Sequence, residues 1–155
     1  MKQPTLIVSL DFELFWGMQD GWKLSEYQAN VLGGRKAIPQ MLALFEKHGI
    51  HATWATVGFQ FAGNYDELKE CFPLAELRPT YENDALSSYR CFDSIGMDEQ
   101  TAPCFYARSL MEKIAAVPGQ EIASHTFSHF YCREAGQTTE QFRADMQAAK
   151  NIAAK

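Results

Sequence analysis

Ile50-His51-Ala52-Thr53-Trp54-Ala55-Thr56-Val57 is the stretch on which the fold turns. It is rich in β-branched and aromatic side chains and reads as a strand. Just upstream, Ile38, Met41, Leu42 and Phe45 recur at i, i+3, i+4 and i+7, the apolar stripe of a helix. Gly33-Gly34 precedes that helix. Pro39 fits its first turn, where a missing N–H is harmless, and Gly49 is a natural stop. Before the helix, Thr5 to Leu10 (TLIVSL) is a run of consecutive apolar and β-branched residues that reads as a strand buried on both faces. Strand, helix, strand is the order of a βαβ unit, and it predicts a parallel sheet.

Downstream, residues 63–103 are irregular. Asn64-Tyr65-Asp66-Glu67 predicts a capped short helix to about Cys71, and the rest runs through Pro73, Pro79, Asn83-Asp84 and Gly96 with no sustained period, as a long insertion. A helical pattern returns at Tyr106, Leu110, Ile114 and Val117 and stops at Pro118-Gly119. Glu121 to Ser124 is a third short strand. Thr138 and Gln141 form a capping box for a last helix with Phe142, Met146, Ala149 and Ala153 as its apolar stripe. The expectation is three parallel strands, at about 5–10, 51–57 and 121–124, adjacent in one open sheet with helices on the outer face.

The 155 residues suit one domain with its own core, and an apolar content of 46% with 21% charged residues is that of a soluble globular protein. With 14 basic against 19 acidic residues the net charge is -5, which argues against a nucleic-acid partner. No apolar run has the length of a membrane span. Met1-Lys2-Gln3-Pro4 and the short run Leu6-Ile7-Val8 lack the apolar core and cleavage site of an export signal, so a cytoplasmic location is expected. Cys71, Cys91, Cys104 and Cys132 are widely spaced and read as free thiols, Cys132 as a buried one.

Two segments carry chemistry. In Glu121-Ile122-Ala123-Ser124-His125-Thr126-Phe127-Ser128-His129, two imidazoles lie four residues apart directly after a strand. If the chain curls there into a helical turn, both rings face one metal ion, and imidazole suits zinc. In Ser9-Leu10-Asp11-Phe12-Glu13, alternation puts two carboxylates on one face at the C-terminal end of a strand, where α/β active sites are built. Two histidines and one carboxylate are the ligand set of a zinc hydrolase, and the second carboxylate is the natural general base.

With both segments in view, the chain resembles the N-terminal portion of the polysaccharide deacetylases of the NodB homology type, carbohydrate esterase family 4. EIASHTFSH is similar to that family's H-S/T-x-x-H metal motif. SLDFE is similar to its first motif, usually T-F-D-D, and IHATWATVG to its second strand. The resemblance implies an α/β fold, here a partial (β/α) barrel with outer helices and the insertion at about 63–103, so that residues 1–155 form an incomplete domain. It implies a metal-dependent hydrolase, with zinc as the preferred divalent metal, that removes acetyl groups from a sugar or polysaccharide. Carried over by position, Glu13, His125 and His129 are the metal ligands and Asp11 is the catalytic base. Asp11-Phe12-Glu13 departs from the family's two adjacent aspartates, which leaves a swap of the two roles open. The two motifs are farther apart than is usual in the family, and its later motifs, with an arginine, an aromatic and a final histidine, are absent.

Phe15, Trp16, Trp22 and Tyr27, and also Tyr81, Tyr89 and Phe92, fall in loops leaving the C-terminal strand ends, on the side of the metal. Most are expected to pack the insertion. Trp16 and Trp22 are the pair expected to stack on an acetylated carbohydrate. His48 and His51 read as structural. The alternatives to a deacetylase are a catalytically incomplete metal- or carbohydrate-binding fragment and an amidohydrolase of a non-sugar amide.

Overall fold

A computed structural model describes residues 5–155; the N-terminal reading of Met1 to Pro4 lies outside the described residues. Three strands, β1 (Ser9–Phe12), β2 (Ala52–Thr56) and β3 (Gln120–Ser124), form one parallel sheet in the order β1-β2-β3. The long helix α1 (Leu24–His48) joins β1 to β2. The chain returns from β2 to β3 through α2 (Tyr65–Glu70), four short 3-10 turns and α3 (Arg108–Ala116), and α4 (Thr139–Ala153) follows β3. The expected three parallel strands are present. Among the described residues β1 and β3 each pair only with β2, and three strands cannot close a barrel.

The register decides what each face of the sheet carries. Leu10, Trp54 and Ile122 are paired neighbours across the three strands, so their side chains share a face. That face packs, with Phe12, on Ile38 and Leu42 of α1 and Leu110, Met111 and Ile114 of α3. The opposite face carries Ser9, Thr53 and Glu121 in one row and Asp11, Ala55 and Ala123 in the next. Among the described residues no helix covers it, and Ser9, Asp11 and Glu121 are exposed. Small residues opposite Asp11 leave open space above the sheet beside that carboxylate.

A second core lies over the C-terminal strand ends. Trp16, Phe59 and Phe127 are fully buried there, with Leu68, Phe92 and Ile95 from the 63–103 segment and Ala149 and Ile152 from α4. The irregular segment is therefore part of the core and roofs the end of the sheet where the two carboxylates and the two histidines emerge. Asn64 caps α2 as expected, its side-chain oxygen accepting from Glu67 N at 2.9 Å.

Four expectations need correction. The first strand is not buried on both faces, nor does it start at Thr5: Leu6 and Ile7 are exposed, and pairing begins in earnest at Ser9 because β1 is an edge strand with one open face. Helix α1 begins at Leu24, so Gly33-Gly34 and Pro39 lie inside it. Two interior glycines cost about 1 kcal/mol each, offset here by burial of Val31, Ile38 and Leu42 and by Arg35, which donates to Tyr106 O at 2.8 Å and pairs with Glu99. The face α4 buries is Gln141, Asp145, Ala148, Ala149 and Ile152, with only Ala149 in common with the expected stripe. Cys132 is exposed, because the turn that carries it lies on the surface; all four cysteines are free thiols. Among the described residues, no helix is long and apolar enough to cross a membrane.

Candidate metal centre

Glu13 leaves the end of β1 and the chain turns at once. Leu14 takes a left-handed φ of 49°, Trp16 N donates to Glu13 O at 3.0 Å, and Phe15 N donates to Cys104 O at 3.1 Å. The turn drops Trp16 into the core. Its side chain has no exposed surface, its indole N–H donates to Phe105 O at 2.8 Å, and its ring meets Phe59 and Phe105 edge-on. Trp16 is an anchor of the Glu13 turn and presents no face to a sugar, contrary to expectation. Trp22 is half exposed and leans on Tyr27, with ring centroids 5.3 Å apart.

Gly17 shows why this turn is shaped as it is. A β-carbon at position 17 would overlap the Glu13 carboxylate. Since that carboxylate is the far end of a flexible side chain, a larger residue here would move Glu13 and leave the fold in place. Gly17→Ala is expected to shift the melting temperature little and to weaken divalent-metal binding by about tenfold or more, the scale on which the surroundings of a ligand act. Calorimetric zinc titration beside a thermal melt checks this. Unchanged affinity would mean that the Glu13 side chain is not held where the structure has it.

His125 and His129 reach the same point from β3, but not on a helical turn. His125 continues the strand and its N–H donates to Thr56 O at 2.8 Å. Thr126 and His129 then adopt left-handed φ values of 64° and 57°, so the chain loops back on itself between the two rings. Gly58, just beyond β2, allows this: its N–H donates to Thr126 O at 2.8 Å, and a β-carbon there would lie 2.7 Å from Phe127 Cα.

The result is a compact trio. His129 Nε2 lies 3.1 Å and His125 Nε2 3.5 Å from the same oxygen of Glu13, Oε2, and one ligand atom from each of the three residues falls within 4.8 Å of the others. The His129 ring hydrogen bond holds the Glu13 carboxyl below its usual range, against the opposing effect of its partial burial. Tetrahedral ligands at zinc-bond distances stand roughly 3.3–3.6 Å apart. The Glu13–His spacings are close to that, and two imidazoles with a carboxylate are a suitable donor set for zinc. Asp11 is two residues before Glu13 on the open face of β1 and is no member of the trio. Both carboxylates line a cavity of about 320 Å³ between β1 and α1, which Met18 and Tyr27 also border.

The chain matches the polysaccharide deacetylase family over residues 20–155. It belongs to that family. The match includes His125 and His129 and starts after Asp11 and Glu13, so it does not cover the two carboxylates; Glu13 joins the histidines by geometry. No curated protein and no solved structure matches the chain. As a polysaccharide deacetylase domain it is of a carbohydrate deacetylase-type hydrolase, and its three converging ligand groups form a possible metal site.

One participant was not foreseen in the sequence. Asp145 of α4 is 1% exposed and accepts three hydrogen bonds from the loop between the two histidines. Burial pushes its carboxyl upward, with the three donors acting in the other direction. The available signal was its position four residues after Gln141 and three before Ala148, an acid on the face the helix buries.

Proposed function

We propose that this chain carries the metal centre of a zinc-dependent hydrolase that removes acetyl groups from a sugar or polysaccharide, in surface polysaccharide metabolism. The observation that carries the reading is the meeting of Glu13, His125 and His129 at ligand spacing in a polysaccharide deacetylase domain. These three residues hold the ion, which when bound supplies Lewis acidity toward the acetyl carbonyl. Asp11, free of the trio and on the same open face, takes the proton from the attacking water as general base. Trp22 offers a half-exposed ring for a sugar to stack on.

The test is zinc titration of the chain by calorimetry, followed by an assay of acetate release from acetylated chito-oligosaccharides with and without the metal. One zinc per chain and chelator-sensitive acetate release are expected. No zinc binding would overturn the reading. Zinc binding without acetate release would favour a metal- or carbohydrate-binding unit without turnover, a reading supported by the uncovered sheet face beside Asp11.

A further inference from the structure

The loop from His125 to His129 stands in a conformation that its own residues do not favour. Non-glycine residues in the left-handed region are strained and persist only where the surroundings enforce them, and this loop has two, Thr126 and His129. The His129 ring has little else to orient it. A metal-binding histidine usually gives its second ring nitrogen to a carboxylate or carbonyl. Among the described residues His129 Nδ1 is buried with no hydrogen-bond partner, and the ring packs only against other rings, the edge of Tyr131 at a centroid distance of 5.0 Å and the tilted ring of His125 at 5.1 Å. The placement of His129 Nε2 against Glu13 therefore depends on the backbone beneath it.

The two N–H groups at the centre of that backbone are held by one side chain. Asp145 Oδ1 accepts from Phe127 N at 2.7 Å. Its Oδ2 accepts from Ser128 N at 3.1 Å and from the Ser128 hydroxyl at 2.5 Å. The loop carbonyls are taken up elsewhere: Thr126 O by Gly58 N, Phe127 O by Phe59 N at 3.0 Å, and Ser128 O by the Ser88 hydroxyl at 2.7 Å. Thr126 Oγ1 accepts from Phe130 N at 2.6 Å. Asp145 is thus the acceptor for both backbone N–H groups between Thr126 and His129. A carboxylate with two acceptor oxygens fits this task, and an amide, with one acceptor and one donor group, does not.

We propose that Asp145 is a positioning residue of the metal centre: its buried carboxylate fixes the loop that presents His129 to the ion, although it is not itself a ligand. The proposal rests on the metal reading above and adds a residue from a different element. It explains why the middle of α4 buries an acid among alanines, where an uncompensated carboxylate would be costly. It also makes α4 part of the site, since a shift of this helix would move His129 relative to Glu13.

The experiment is zinc affinity measured by competition with a chromophoric chelator, with a thermal melt of each protein free of metal. Asp145→Asn is expected to weaken zinc binding by about 10–100-fold, the range seen when a residue that orients a ligand is lost. Ser128→Ala, which removes one of the three bonds and leaves both backbone donors, should weaken it by about threefold or more. Ile152→Ala, on the same buried face of α4, serves as the control: it should lower the melting temperature and leave zinc affinity unchanged. Asp145→Asn and Ile152→Ala changing affinity by the same factor would reduce Asp145 to a general stability role and overturn the proposal. So would parent-like affinity in Asp145→Asn. If Asp145→Asn does not fold, Ser128→Ala decides, and parent-like affinity there overturns the proposal. Failure of the unsubstituted chain to bind zinc overturns the metal reading and this inference together, whereas parent binding with unaffected variants overturns this inference alone.

Discussion

Glu13→Ala is expected to abolish measurable zinc binding, or to weaken it beyond the roughly 10–100-fold that loss of a ligand's supporting partner costs. Glu13 is the only carboxylate in the trio, and both imidazoles are aimed at the same one of its oxygens. Removing it leaves two neutral donors, one short of the three protein ligands of a hydrolytic zinc site, and takes away the negative charge within the trio that favours a cation there. The fold should survive. Glu13 lies beyond the end of β1, is partly solvent-exposed, and its backbone turn is held by Trp16 and Cys104, not by its carboxylate. Glu13→Gln should fall between the parent and the alanine variant, since it keeps an oxygen donor and loses the charge. Circular dichroism and zinc titration of the three proteins are the measurements. Zinc affinity in Glu13→Ala within threefold of the parent would remove Glu13 from the ligand set.

The fold and the site were legible in the sequence to different degrees, for physical reasons. β2 and β3 were readable because their side chains meet the sheet on the terms that β propensity describes. β1 was misplaced because Leu6-Ile7-Val8 looks like the centre of a buried strand, while the register is set by pairing with β2 and leaves Leu6 and Ile7 exposed. The start of α1 was hidden by Gly33-Gly34, whose local preference is outweighed by long-range contacts of Arg35 with Tyr106 and Glu99. The residues of the possible metal site were visible as types and spacings, but the way they meet was not. A spacing of four suggests a helical turn, and nothing in the identities of Thr126 and His129 announces positive φ; the conformation is imposed by Gly58 and Asp145, remote in sequence. Trp16 shows the limit of reading aromatics from loop position, because burial is decided by tertiary contacts with Phe59 and Phe105.

Asp11→Asn is expected to do the opposite of Glu13→Ala: to keep zinc affinity within about threefold and to lower turnover on an acetylated sugar by about 100–10,000-fold, the usual contribution of a general base. The geometry separates the two carboxylates. Asp11 is still within β1, paired with Ala55, while Glu13 has left the strand and meets both histidines. Strand alternation nevertheless puts Asp11 on the face toward which Glu13 departs, and its neighbours in that row are Ala55 and Ala123, which leave room for a substrate over the sheet. A carboxylate so placed, near the Glu13–His125–His129 trio and outside its contacts, is free to accept a proton. The substitution preserves shape and removes basicity, so the loss should fall on kcat and on kcat/KM alike with KM little changed, the pattern of an interaction made in the transition state. Two results would overturn the assignment in different ways. Loss of zinc together with turnover would make Asp11 a ligand and exchange its role with that of Glu13. Full turnover with zinc bound would place the base elsewhere, and the open row above Ala55 and Ala123 would then mark where the substrate's reacting carbon does not lie.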